Sequence, residues 1–285
     1  MQLFRYGQKG AEKAGIVINE KKYDLSGFGQ DFDNTFLSEG GLEKLKTYLS
    51  ENEGKLSEIK EDARLGVPLA NPQKIVCVGL NYVDHVKETG LKQENEPILF
   101  LKAISALTGP YDGITIPKDS LKTDWETELA VVIGKKAAYV KEEDAEDYIW
   151  GYALHNDISE RAFQTERGGT WDKGKGCDTF APVGPFIVPK ENVADPNNLS
   201  VWLKLNGELV QNGNTSDFIN KIPKLIAYIS QFMSLNPGDI VSTGSPAGVG
   251  MGMNPQRFLK PGDVIEYGID GLGIGKQTLS AYNAD

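Results

Sequence analysis

The chain is poor in the residues that soft-metal and redox chemistry need. Among 285 residues there are two cysteines, Cys77 and Cys177, and two histidines, His85 and His155. Two cysteines exclude a disulfide framework and a cysteine-rich zinc site, and they point to a reducing, cytoplasmic setting. Cys177 has no Cys-His arrangement around it for nucleophilic work. Any metal chemistry must therefore lean on carboxylates. Positive charge is also short, with 30 Lys and Arg against 40 Asp and Glu, for a net charge of −10. An acidic surface repels phosphate backbones, which argues against nucleic acid as a partner. The best apolar run, Leu129–Ile133, is far below the roughly 20 residues that span a bilayer, so no membrane partner is expected. The segment from Met1 to Gly7 lacks the apolar core of a secretory signal.

What is present describes a globular, β-rich body. Hydrophobic residues make up 40% and charged residues 25%, ordinary values for a folded domain. The 32 glycines and 14 prolines call for many tight turns. Residues 1–70 read as a small separate unit. Gly15–Ile18 and Lys22–Leu25 flank a polar turn and form a hairpin. Leu42, Leu45 and Leu49 mark an amphipathic helix with Ser38 as its cap. A charged, solvated stretch from Glu51 to Arg64 then leads to Pro68 and Pro72. Residues 71–285 form the second unit. Strands are expected at 75–78, 98–101, 129–133, 238–241 and 262–266. A hairpin is expected about Asn206-Gly207, a pair suited to a type I′ turn, and a helix over 222–232 with Pro223 in its first turn. Strands outnumber helices without alternating regularly, so an α+β, mixed-sheet body fits better than a doubly wound parallel sheet.

The most informative residues are Glu126 and Glu128, which lead into the apolar strand. Residues two apart on a strand share a face, so the two carboxylates repel unless solvated or bridged by a hard divalent cation. Both readings stand on the pattern alone: a solvated strand face, or a site for Mg²⁺ or Mn²⁺ with Asp157, at the end of Tyr152–Asn156, as third ligand. Arg161 and Gln164 follow at helical spacing from Asp157, either as carboxylate-binding groups or as an exposed polar face. Lys175 reads as a stabiliser of oxyanion charge or as part of a basic loop. His85 and Glu88, three apart, fit a general base with its orienting carboxylate, or a surface ion pair. The polar run from Lys92 to Pro97 follows, so the stretch reads as a candidate lid. The Gly-rich run Ser242–Gly250 is no phosphate loop. It reads as a carboxylate cradle or a tight turn. His155, on an apolar strand, reads as a satisfied core histidine.

Together these segments resemble the fumarylacetoacetate hydrolase family, in its smaller bacterial and mitochondrial branch. The matching stretches are Gly79-Leu80-Asn81-Tyr82 with His85 and Glu88, Phe100-Leu101-Lys102, Glu126-Thr127-Glu128, and Asn156-Asp157-Ile158-Ser159-Glu160-Arg161 with Gln164. Further on come Lys175–Phe180 with Pro182 and Gly184-Pro185, and Ser242–Pro246 with Gly248-Val249-Gly250. They occur in the family's order from Lys74 onward. Ala103 stands where many members have proline and Ala181 where many have cysteine, neither at a reacting position.

The resemblance implies a mixed β-roll catalytic domain behind a small N-terminal β/α domain, assembled as a homodimer. It implies Mg²⁺ or Mn²⁺ on Glu126, Glu128 and Asp157, a lid dyad of His85 and Glu88, and Lys175 as the active-site lysine. Arg161, Gln164 and Thr243 match substrate contacts, and Lys102 and Tyr82, within the matched stretches, join them. The residues after Glu88 and those from Arg167 to Trp171 are expected to shape the pocket for the substrate's tail. The implied activity is hydrolysis of a C–C bond in a 2,4-dioxo keto acid, an acylpyruvate or a 2,4-diketo-3-deoxy sugar acid. Oxaloacetate decarboxylation, hydratase, isomerase or ureidoglycolate lyase chemistry on the same site, and a silent binding protein on the same fold, are the alternatives.

Overall fold

The computed structural model describes residues 1–90 and 95–283. The N-terminal segment supplies β1 (Gln2–Tyr6), β2 (Lys13–Ile18), β3 (Lys21–Asp24), α1 (Asn34–Ser38) and α2 (Gly41–Glu51). Next come β4 (Ile75–Gly79), α3 (Val83–Thr89), β5 (Ile98–Lys102), β6 (Leu107–Thr108), β7 (Ile114–Ile116), β8 (Thr123–Asp124), β9 (Thr127–Ile133) and β10 (Ile149–Asn156). Then follow β11 (Ser159–Glu160), α4 (Arg161–Thr165), α5 (Asp172–Lys175), β12 (Ala181–Pro189), β13 (Ser200–Leu205) and β14 (Glu208–Asn214). The chain ends with α6 (Ile222–Ile229), β15 (Ile240–Ser242), β16 (Val264–Ile269) and β17 (Gly273–Ala281). No helix among the described residues is long and apolar enough to cross a membrane.

A ten-stranded mixed sheet runs β3-β2-β1-β12-β10-β9-β15-β4-β5, with β6 joined to β12, and a five-stranded sheet runs β14-β13-β16-β17-β7. β9 and β10 lie in the middle of the larger sheet and are buried at every position. That explains the unbroken apolar run of β9, since a strand covered on both faces gains from apolar side chains on both. Each fully buried Leu, Val or Ile there contributes roughly 1.5–3 kcal/mol. Gly151 lets β10 approach its neighbour: a Cβ there would lie 2.1 Å from the Val188 carbonyl oxygen.

Most expected elements are found, and the departures have local causes. The β2–β3 hairpin turns at Asn19 and Glu20, φ 48° and 65°, and the β13–β14 hairpin at Asn206 and Gly207, φ 52° and 86°. The two expected Pro-Gly-Asp strand openings are turns, with φ 85° at Gly238 and 92° at Gly262, and β15 and β16 start two residues later than expected. α6 stops at Ile229, before Phe232, which is exposed. Ser38 does not cap α2. It closes α1, where its hydroxyl donates to the Asn34 carbonyl, and Gly40 precedes α2 in a left-handed conformation. β12, with its three prolines, was not expected as a strand. The N-terminal strands are continuous with the main sheet, because β1 pairs with β2 on one side and β12 on the other. Arg64, placed in the solvated stretch, is held by Asp112 and Glu12. The expected lid run from Lys92 to Pro97 falls in part outside the described residues.

Candidate active site

Strand register brings the acids together. β9 and β10 run antiparallel, with His155 opposite Glu128 and Asn156 opposite Thr127. The next residue, Asp157, therefore lies across from Glu126, and its N–H donates to the Glu126 carbonyl over 2.8 Å. Asn156 Oδ1 accepts from the Glu126 N–H at 3.0 Å and fixes that corner. Oxygens of Glu126, Glu128 and Asp157 lie within 4.8 Å of one another, and all three residues are buried.

Cationic groups surround this cluster. Lys175 Nζ lies 2.6 Å from Glu126 Oε2 and 2.8 Å from Asp157 Oδ2, with its charge 4.9 Å from the centre of the Phe100 ring. Lys102 donates to Asp157 Oδ1 and, at 3.0 Å, to the Ile158 carbonyl. Arg161 reaches Glu126 Oε1 at 2.7 Å, Asp124 Oδ2 at 2.8 Å and Gln164 Oε1 at 3.1 Å. Burial works against the charged form of Glu126, but Arg161 and Lys175 outweigh it and hold the carboxyl well below the usual range. Burial also disfavours the Lys175 ammonium, and Asp157 and Glu126 more than compensate, so Lys175 stays charged.

Glu128 is the exception. Its hydrogen-bond donors among the described residues are the Ser242 hydroxyl and the Gly244 N–H, with no cationic side chain in contact. Burial, followed by the charges of Asp157 and Glu126, pushes its pKa well up. Three buried carboxylates converge, then, and one lacks a counter-charge. That donor set, all hard oxygen, fits a small divalent cation such as Mg²⁺ or Mn²⁺.

His85 faces the same place. It lines a narrow cleft of about 60 Å³ together with Glu126, Glu128, Arg161, Gln164 and Lys175. Its Nδ1 is 3.1 Å from Glu88 Oε2, and Glu88 Oε1 accepts the Gly248 N–H at 2.9 Å. The wider hollow of about 600 Å³ between residues 116–121 and 256–261 contains none of the candidate residues.

Three expected substrate contacts stand back from the cleft. Thr243 donates its hydroxyl to the Leu129 carbonyl at 2.9 Å. Tyr82 is buried against Phe218, its hydroxyl without a partner among the described residues. Lys102 is spent on Asp157 and a main-chain carbonyl. The helical spacing holds for Arg161 and Gln164, which share α4 and are hydrogen-bonded, but not for Asp157, which precedes β11, outside that helix. Of the tail-pocket stretch, Trp171 lines the cleft, whereas Arg167 packs over the Phe163 ring at 5.1 Å. Ser245, from the run read as a carboxylate cradle or a tight turn, also lines it, as do Phe100 and Met251, unforeseen as pocket residues because apolar side chains carry no chemical signature in a sequence. Asp124, at full burial, is a further omission, though a carboxylate beside Glu126 was visible. His155 is half satisfied: Nδ1 meets Ser242 Oγ at 2.7 Å, Nε2 has no partner among the described residues, and burial pushes its pKa down to about 3. Burial also pushes the Cys177 thiol up to about 11, consistent with an inert side chain.

A β-rich mixed-sheet fold with a buried three-carboxylate centre beside a histidine–glutamate pair fits the class of metal-dependent enzymes, and comparisons with known proteins narrow it to a family. The profile of the fumarylacetoacetate (FAA) hydrolase C-terminal domain matches residues 74–280. A Burkholderia ambifaria protein, named only as a hydrolase, is 46% identical over 286 residues, covering 100% of both chains. The structure of fumarylacetoacetate hydrolase from Exiguobacterium antarcticum superposes with a TM-score of 0.86 at 32% identity, covering 99% of this chain and 100% of that one. Maleylpyruvate hydrolase from Sphingobium sp. SYK-6, solved with manganese(II) and pyruvate, superposes with a TM-score of 0.83 at 31% identity, covering 99% and 100%. The chain belongs to the fumarylacetoacetate hydrolase family.

Proposed function

We propose that this protein hydrolyses a C–C bond of a 2,4-dioxo acid, an acylpyruvate or a 2,4-diketo-3-deoxy sugar acid, to pyruvate and a carboxylic acid. The observation that carries the reading is the meeting of the His85–Glu88 pair with Glu126, Glu128, Asp157 and Lys175 about one cleft. A divalent metal, Mg²⁺ or Mn²⁺, held by Glu126, Glu128 and Asp157 supplies Lewis-acid polarisation and a template for the α-keto acid.

The chain's own groups account for the rest. Glu88 accepts a hydrogen bond from the Nδ1–H of His85, which leaves Nε2 as the base that takes a proton from water. The resulting hydroxide attacks the C4 carbonyl, and the C3–C4 bond breaks. One product is the carboxylic acid; the electron pair goes to C3, giving the enolate of pyruvate, which is protonated at C3 as the proton that His85 took from water is given back, restoring neutral imidazole. The Lys175 ammonium, kept charged by its acidic neighbours, stabilises the negative oxygen. Arg161 and Gln164 orient the acid end of the substrate. Trp171 and Phe100 form an apolar wall that limits water around the reacting carbons.

The test is pyruvate release from acylpyruvates, diketo-deoxy sugar acids and oxaloacetate, side by side, with Mg²⁺ or Mn²⁺ supplied. Turnover of a dioxo acid that falls at least about a hundredfold in His85→Ala supports the reading. Turnover of oxaloacetate alone, indifferent to His85, replaces it with decarboxylation, which needs enolate stabilisation but no activated water.

A further inference from the structure

Asp124 is completely buried, and four donors converge on it. Its Oδ1 accepts the N–H of Trp125 at 2.9 Å and of Gly250 at 2.7 Å. Its Oδ2 accepts the N–H of Met251 at 3.0 Å and Arg161 Nε at 2.8 Å. The segment 247–252 is held from its other side as well. Ala247 N–H donates to Asp84 Oδ2 at 3.2 Å, and Gly248 N–H to Glu88 Oε1 at 2.9 Å. Both of those acids belong to α3, the helix that carries His85. The segment has no slack. A Cβ on Gly250 would lie 1.9 Å from the Arg257 carbonyl oxygen and 2.8 Å from Asp124 Oδ1, and one on Gly252 would lie 2.4 Å from Glu88 Cδ.

A short strap of main chain thus has its amides gripped by Asp124 on one side and by α3 on the other. Charged acceptors make the stronger hydrogen bonds, and fixed amides transmit a displacement at one end to the other. We propose that Asp124 is a positioning residue: through the strap at 247–252 it seats the His85 helix, and through Nε it aims Arg161. The catalytic half of this inference rests on the function proposed above; the mechanical half does not. An asparagine at 124 would turn an NH₂ toward two of the four donors, so it tests charge and acceptor capacity at nearly constant volume.

Hydrogen exchange of the full chain, supplied with Mn²⁺, reads the mechanical half in both directions. In Asp124→Asn the α3 amides are expected to exchange at least about tenfold faster, with β13 and β14 unchanged. In Glu88→Ala, a change on a partly exposed helix that spares the core, the amides of Gly250 and Met251 are expected to do the same. Wild-type exchange at the far end overturns the proposal, and Glu88→Ala decides it alone should Asp124→Asn fail to fold. A double-mutant cycle of the two substitutions on kcat reads the catalytic half: the joint effect should differ from the product of the single effects by at least about threefold. Independent effects would overturn the positioning role. Accelerated exchange in a protein that turns over no dioxo acid would reject the proposed reaction and leave the strap standing.

Discussion

Asp157 faces Glu126 because the β9–β10 register leaves it no other place: with Asn156 opposite Thr127, the Asp157 N–H closes on the Glu126 carbonyl at 2.8 Å. Two acids thirty-one positions apart become neighbours through main-chain hydrogen bonds, before any side chain is considered.

Glu126→Gln is expected to weaken Mn²⁺ binding, measured by isothermal titration, by more than about a hundredfold. Loss of an outer partner of a ligand already costs about ten- to a hundredfold, and here the negative charge is lost and an NH₂ replaces one of the two oxygens that face Arg161 and Lys175. Unchanged affinity would remove Glu126 from the metal site.

Lys175→Met should separate binding from turnover. Removing an ammonium 2.6 Å from Glu126 and 2.8 Å from Asp157 leaves those acids more available, so Mn²⁺ should bind more tightly. Hydrolysis should fall by on the order of a hundred- to a thousandfold, since the proposed mechanism places the stabilisation of the oxyanion on that charge. A titration and a kcat measurement moving in the same direction would contradict this arrangement.

His85→Ala should spare the metal and depress kcat by about a hundred- to ten-thousandfold, the range for losing a general base. Glu88→Gln should fall between it and the wild type, because imidazole remains but one of the two Glu88 acceptors is lost.

Gly151→Ala is expected to destabilise the fold by about 3 kcal/mol or more, read as a drop in the urea midpoint, because its methyl meets a carbonyl oxygen at 2.1 Å in the central strand pair. A variant as stable as the wild type would show that β10 and β12 can part at this point.

Acid sensitivity should map to Arg64. Burial favours the neutral forms of Glu12 and Asp112, yet the hydrogen bonds and charge of Arg64 outweigh it and lower both pKa values. A carboxylate with a depressed folded-state pKa gives stability that is present above its ordinary pKa and is lost as pH falls through the folded value. The melting temperature should therefore decline as pH falls through and below the ordinary carboxylate range. Arg64→Ala should flatten that decline, and a parallel curve for the variant would locate the acid sensitivity elsewhere.

Strands with a simple period or a strong turn were readable in the sequence: β9 by its apolar run, and the β13–β14 hairpin by Asn206-Gly207. β12 was not, because Pro182, Pro185 and Pro189 interrupt the pattern on which strand recognition depends. The acids, the dyad and Lys175 were nameable in advance, because charge next to apolar sequence is conspicuous and the ordered blocks matched a family. Side-chain direction was not legible. Thr243, Tyr82 and Lys102 lie close in sequence to cleft residues, yet each is turned to a main-chain carbonyl, a neighbouring ring or an acid by packing that no local pattern encodes.

Because β1 lies directly along β12, the first strands of the chain shield hydrogen-bonding groups that belong to the larger sheet. A shortened protein beginning near residue 70 would keep every candidate catalytic side chain and yet expose a raw β-edge, inviting self-association instead of yielding a minimal enzyme.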